Sequence, residues 1–464
     1  MNDGLHALGE LTAPRGAMLP DSFTSLLGDQ PSTILLGLPT YGWRGLYIAR
    51  LAGREAISMP FRFDLIAVRP DVDGVLSLEA LVGETATLAL AVAPARWRLV
   101  HGMIAEATLV ERSDEASVYH LALVPQWERS RFRRRGRTFV DRTLREIVAD
   151  VLENRGSNAP GGEGGLSLWP EPVVPGLVSL DPSAAYEAPQ AHYRWVLTDE
   201  SRIDDPQLRD YVVQYNETDF DLVVRLLTEE GISFVFEHES GRSILTLTDA
   251  PGLDPIGGAR AYPIVPGSES SEEGISTLRE RLALRPDEVT MRTYAWPRGA
   301  AVLEASYRLA DPVVPDSTWY TFPAREEAVQ ERPCDTPARV LHERFEAERH
   351  TAEGTSNLRT LAPGHLESIQ LEGGAPADFL VTGVRTTARQ PDPAGVRVDS
   401  RVLGMHRPDN SASSELFRNT FDVVPGALRF RPAARAGKPR IEGVQPALVT
   451  AEEVVGATPE ENRT

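Results

Sequence analysis

Three residues spaced four apart, His342, Glu346 and His350, fall on one predicted helix and share a face. Two imidazoles and a carboxylate so placed could hold a divalent metal. The zinc-protease pattern needs His-Glu-x-x-His, which HERFEAERH lacks, and its arginines repel a cation. The segment therefore reads as a solvated helix face. Asp219 with Asp221, and Glu229 with Glu230, could supply the acid and base of glycoside hydrolysis. The Asp pair sits at a predicted helix start, where free N–H groups favour carboxylates, and the Glu pair sits near its end. No Gly-x-Ser-x-Gly elbow supports a serine nucleophile. The single cysteine, Cys334, cannot form an internal disulfide or a cysteine zinc site, and it lies in a loop before a helix. The GGEGG run at 161–165 lacks the Lys-Ser/Thr and the preceding strand of a phosphate loop. No catalytic residue, cofactor or metal is expected.

A basic run, Arg129, Arg131, Arg133, Arg134, Arg135 and Arg137, surrounds Phe132. It could bind nucleic acid, but 48 basic residues stand against 67 acidic ones, a net charge of -19. So acidic a surface repels phosphate backbones, and the run is expected to pair with carboxylates within or between subunits.

The elements that would position these residues are mostly strands. Ile34, Leu35, Leu36 and Leu38 open the region, and Leu46 to Leu51, Phe61 to Ala67, Thr85 to Val92 and Tyr119 to Leu123 alternate between Gly, Pro and Asp turns. This spacing predicts a small barrel. Helical periodicity predicts a helix over Thr138–Arg155 with Gly156 as its stop. A Gly-rich and Pro-rich connection follows, to Pro189. Thr218-Asp219-Phe220-Asp221 is a capping box that opens a helix burying Phe220, Val223, Val224 and Leu227 and ending at Gly231. A hairpin follows through Ile232, Phe234, Phe236, Leu245 and Leu247. Thr336-Pro337 starts a third helix that buries Leu341 and Phe345, with Gly354 past its end. Short strands return over 363–407. Leu99-Val100-His101-Gly102-Met103 echoes Leu380-Val381-Thr382-Gly383-Val384 in a similar setting, which predicts two copies of one barrel type.

At 464 residues the chain exceeds one ordinary core. The N-terminus lacks a basic start and apolar core, so no secretory signal is expected. No apolar run reaches the roughly 18 residues that cross a bilayer, so stable membrane insertion is not expected. The expectation is a protein made in the cytoplasm that leaves only by a machine.

The segment from Tyr211 through Gln214, Tyr215, Glu217, Thr218, Asp219 and Phe220, continuing through Arg225, Leu226, Leu227, Gly231, Ile232, Phe234 and Phe236, resembles the signature of VgrG proteins. These are the spike proteins of type VI secretion systems. Ser58-Met59-Pro60-Phe61-Arg62-Phe63 resembles the family's S-x-P-F-x-F strand. Leu81-Val82-Gly83 with His101-Gly102, Gly354-Thr355-Ser356-Asn357 and Leu361-Ala362-Pro363-Gly364 resemble further family elements. Arg429-Phe430-Arg431-Pro432 and Lys438-Pro439-Arg440-Ile441-Glu442-Gly443 resemble the joint leading to its needle.

The resemblance covers roughly 34 to 450. It implies a mixed β-rich α+β fold of the phage tail-hub type, two related small β-barrels with helical and hairpin insertions. It also implies a homotrimeric ring with pseudo-sixfold symmetry. That ring would seat on a hexameric Hcp tube among baseplate proteins, carry a needle or tip protein and effectors, and be secreted through the contractile machine. The boundaries expected are an N-terminal extension over 1–33, a first barrel over 34–130, and a helix with a long connection over 131–205. A helix-hairpin unit over 206–290 and a second barrel over 291–431, containing a helix at 336–353, would follow. A linker over 432–464 would lead toward an OB-like and needle region absent from the chain. A phage or extracellular contractile-particle hub is the alternative, and a hydrolase or metal-dependent enzyme the reading from another class.

Overall fold

The computed structural model describes residues 33–43, 45–70, 73–93, 96–153, 192–204, 211–239, 241–265, 273–295, 301–309, 317–322, 335–371, 374–390, 416–433, 439 and 443. The N-terminal arm, the GGEGG run, the Pro-rich connection, Cys334 and the tail after 443 lie outside them.

Six strands build the first barrel: β1 (Ile34–Gly37), β2 (Tyr47–Ala56), β3 (Met59–Pro70), β4 (Thr85–Ala93), β5 (Arg96–Arg112) and β6 (Ala116–Val124). Alternation selects the inner face. Phe61, Phe63 and Leu65, Leu88 and Leu90, and Tyr119, Leu121 and Leu123 share one buried cluster. The order is β1-β4-β5-β6-β3-β2, and the Leu35–Tyr47 pair returns β2 to β1.

The segment after the barrel forms β7 (Arg134–Val140), a helix over Leu144–Leu152 and β8 (Tyr193–Val196). Next come β9 (Tyr211–Thr218), a helix over Asp219–Glu229, and the hairpin of β10 (Ser233–Glu239) and β11 (Arg242–Thr248). The helix expected over 138–155 is shorter. Thr143 and Glu146 form its capping box, so the helix starts there. Residues 138–140 belong instead to β7, where Val140 is exposed. Trp127, Ile147, Phe220, Leu226, Phe234 and Leu247 share the core of this unit.

The second barrel uses β12 (Ala261–Pro263), β13 (Ile275–Leu282), β17 (His350–Ser356), β18 (Leu366–Gln370), β19 (Pro376–Arg389) and β20 (Phe417–Pro425). It therefore begins before the expected boundary at 291. Between its second and third strands, β14 (Glu288–Ala295), β15 (Ala301–Arg308) and β16 (Thr318–Thr321) form a separate sheet. The helix Asp335–Arg349 packs on that sheet through Ala338 and Phe345, so it belongs to an insertion and not to the barrel wall. The helix ends at Arg349, short of the bound expected at 353, and Gly354 is not its immediate stop. It lies inside β17, where a Cβ would meet the Phe421 ring at 2.3 Å.

The second barrel repeats the first strand for strand. Its order is β12-β18-β19-β20-β17-β13, closed by a bridge from Ile264 to Ile275. In order of appearance both barrels read first, fourth, fifth, sixth, third, second. Registers also coincide. Phe63 opposite Leu123 matches Ala352 opposite Val423, and Ile104 opposite Leu123 matches Val381 opposite Val423. Bulges recur at Ala49 and Ser276, and at Ala105 and Thr382. One strand differs: β1 runs antiparallel to β4, whereas β12 runs parallel to β18. The five-residue echo does fall on equivalent strands, β5 and β19. The aligned bulges put Met103 on Leu380, four positions from where the echo would align them. The two barrels join edge to edge, Arg50–Ala56 of β2 against Gly383–Arg389 of β19.

Candidate functional site

The signature segment from Val212 to Phe236 packs between the barrels and the insertion. β9 pairs with β7, which brings the basic run onto the signature's carboxylates. Asp219 is fully buried at the helix start. It accepts from Arg137 Nη2 at 2.6 Å and from Gln214 Nε2 at 3.0 Å. Gln214 Oε1 in turn accepts from Arg137 Nε at 2.7 Å. Glu217 takes two bonds from the buried Arg225, at 2.6 and 3.1 Å, and is itself largely shielded. Thr218 Oγ1 accepts from the Asp221 amide at 3.0 Å and donates to the Asp221 carboxylate. The expected ionic contact of the basic run thus forms within the chain for Arg137. Arg131 lies over the Phe220 ring at 3.7 Å, and Arg134 donates to the Asn216 carbonyl. Phe132 stays 84% exposed. These carboxylates hold guanidinium groups, which suits them to bracing a helix start rather than to acid–base work.

The signature's strand end reaches the first barrel. Ser58 occupies the tight β2–β3 turn at φ 57, where its amide donates to the Phe234 carbonyl and its hydroxyl accepts from the Phe234 amide. Phe236 meets Phe61 edge-on at 5.4 Å. The amide of His101 donates to His238 Nδ1, and His101 Nδ1 bonds the Thr87 hydroxyl at 2.9 Å. Burial pushes His101 down to about 4 and His238 well below the usual imidazole value, with His101 adding to the latter. Both rings therefore serve as neutral packing and hydrogen-bonding groups.

Gly231 closes the signature helix at φ 72, a conformation that favours glycine. Its carbonyl accepts from Arg431, which also donates to the Asp249 carbonyl and to Glu343 of the Asp335–Arg349 helix. Arg431 is nearly fully buried and so ties signature, hairpin and insertion together. Motif segments scattered along the chain meet here: the serine turn, the His-Gly strand, the signature and the Arg-Phe-Arg-Pro segment. Leu361 of the Leu-x-Pro-Gly segment joins them, its carbonyl accepting from Arg98, which also pairs with Glu55 at 2.6 Å.

The remaining candidates separate. His342 packs near Tyr307 and lies 3.9 Å from Glu346. His350 has left the helix, which ends at Arg349, and pairs with Glu280 of β13 instead. Among the described residues no three His, Cys, Asp or Glu side chains are grouped to hold a metal. No described helix is long and apolar enough to cross a membrane. Sequence reasoning missed the buried Arg98–Glu55 pair, since two charges 43 positions apart on strands carry no local pattern. It also missed Glu367, which β18 alternation places inside the second barrel. Neither of its carboxyl oxygens has a hydrogen-bond partner among the described residues. Burial pushes this carboxyl up to about 8, against a lowering influence from Arg260.

Comparison with known proteins agrees with this architecture. The family model described as the phage tail baseplate hub (GPD) matches residues 54–161 and 184–392. The type VI secretion system spike protein VgrG4b of Pseudomonas aeruginosa is 31% identical over 415 residues, covering 87% of this chain and 45% of that protein. VgrG1a of the same organism is 26% identical over 414 residues, covering 87% and 55%. The chain thus spans about half the length of these curated relatives. Among solved structures, the E. coli c3393 protein, a component of the type VI secretion system, superposes with a TM-score of 0.52 at 19% identity, covering 84% of this chain and 77% of that one. With the family model spanning most of its length and both barrels in place, the chain belongs to the phage tail baseplate hub family.

Proposed function

We propose that this chain is the hub part of a type VI secretion spike, a structural collar that joins a sixfold tube to a threefold needle. The observation that carries the reading is the register-matched repeat of two closed barrels fused along one strand pair. Three copies of such a chain offer six alike barrels, which lets a trimer meet a hexamer of Hcp-like subunits. The hub family match and the VgrG relatives support the same reading. The signature's carboxylates and the buried histidines brace elements, which suits a load-bearing part and a non-enzymatic role. Stiffness follows from closed ladders and from the buried ion pairs under the signature helix.

In this reading the units are the first barrel, the signature helix-hairpin unit, the second barrel with its inserted sheet and helix, and a joint at Arg429–Pro432 toward the needle. Baseplate proteins, a needle or tip and effectors are the partners. The protein acts where the contractile machine is loaded and leaves the cell with the spike. Single-particle imaging of the purified chain at micromolar concentration tests it. A ring with threefold symmetry and six peripheral lobes is expected. A persistent monomer would remove the basis for a hub.

A further inference from the structure

Within one chain the barrels meet through a single strand pairing, Arg50–Ala56 of β2 with Gly383–Arg389 of β19. The repeat supplies each of these strands with a counterpart. β13 corresponds to β2 and β5 to β19, with the bulges at Ala49 and Ser276 and at Ala105 and Thr382 aligned. The matching edges of the counterparts have no strand partner among the described residues. β13 pairs with β17 on one side and touches Ile264 only at its first residue on the other. β5 pairs with β4 only over Arg96–Met103, so its outer part keeps β6 alone. Both free stretches carry exposed residues, with Ala107 half-buried against the rim of the first barrel's core. Glu106, Thr108 and Leu109 are exposed, as are Arg279 to Leu282, and Leu282 is 74% exposed. A row of unpaired N–H and C=O groups beside exposed apolar side chains is a template for another strand.

We infer that β13 of one copy pairs antiparallel with β5 of a second copy, in the register that β2 and β19 use inside the chain. The inference rests on the hub reading and supplies the contact between its subunits. Carrying the internal register across is arithmetic on the aligned bulges. Gly383–Ala56 becomes Glu106–Ala283, and Val384–Glu55 becomes Ala107–Leu282. Arg385–Arg54 becomes Thr108–Arg281, and Thr386–Gly53 becomes Leu109–Glu280. This register covers Leu282 with Ala107 directly and Leu109 on the diagonal. On the opposite face it sets Arg281 diagonal to Glu106, which Arg62 already holds at 3.0 Å. The occupant is a second copy because the docking edge repeats one the chain already fills with its own β19. Every barrel then joins the next by the same kind of strand pairing, a head-to-tail contact that closes when the rotation completes a ring.

The test is a cysteine pair at Ala107→Cys and Leu282→Cys in a Cys334→Ser background. Directly opposed Cβ atoms lie about 4.5–5.5 Å apart, near enough to oxidise. Mild oxidation should give a ladder ending at a covalent trimer on non-reducing gels. Each single cysteine, and the register-shifted pair Ala107→Cys with Glu280→Cys, should remain uncrosslinked. Independently of thiol chemistry, Leu282→Asp should raise the concentration needed for assembly roughly tenfold or more in sedimentation velocity. The thermal midpoint of its monomer should not change. A chain that forms trimers without the specific crosslink, or that crosslinks equally in the shifted register, overturns this pairing and leaves the hub standing. A chain that stays monomeric overturns both.

Discussion

Glu367 lies in the core of the second barrel, opposite Phe379 of β19 and near Tyr262 and Arg260. Its carboxyl is raised from 4.5 to about 8, burial being the main cause. The folded chain thus holds a proton that the unfolded chain releases. Stability from this group is present below about 4.5 and is lost as pH rises toward 8. Replacing it with Leu should stabilise the barrel by about 3 kcal/mol at neutral pH and flatten that decline. Urea unfolding across the same interval measures it. An unchanged slope would mean that the carboxyl is charged and paired in solution. The contrast is Glu217, less deeply placed and bonded twice by the buried Arg225, where the charges offset each other's desolvation.

At the scale of elements, the joint depends on how the signature helix stops. Gly231 holds φ 72, and a Cβ there would meet Val340 at 2.7 Å. Gly231→Ala should therefore cost about 1–3 kcal/mol through strain and displaced contacts. Hydrogen exchange should localise the loss to the Asp219–Glu229 helix, β10 and the Arg431 contact, leaving the first barrel protected. A loss spread evenly over both barrels would contradict a local joint. The Asp335–Arg349 helix shares that joint through Glu343 and Arg431, so insertion and hairpin are coupled without sharing a core.

At the scale of the whole molecule, a net charge of -19 opposes assembly of identical copies. A contact made by backbone pairing and apolar cover gains little from charge. Salt should therefore strengthen association by screening the repulsion. The trimerisation midpoint, followed by sedimentation from low to moderate salt, should move to lower protein concentration. The opposite slope would assign the contact to ion pairs, with the exposed members of the Arg129–Arg137 run as the first suspects.

Local pattern alone revealed much of this protein. Alternation in Phe61 to Ala67 and Tyr119 to Leu123 fixed their inner faces, because strand period and burial share one geometry. Thr218 and Gly231 marked both ends of the signature helix, because caps and left-handed stops are local chemistry. Pattern failed where distant partners decide. Residues 138–140 read as helix, but pairing with β9 made them strand. Residues 350–353 read as the end of the third helix, but pairing with β13 and β20 made them strand, and the Phe421 ring requires a glycine at 354. The His342–His350 face dissolved because the chain turns into β17 at its last member. The second barrel's true start, its register match to the first and the unpaired edges of β5 and β13 came only from tertiary structure. Strand order and register are set by which residues meet across hundreds of positions, and that information is carried by no single stretch of sequence.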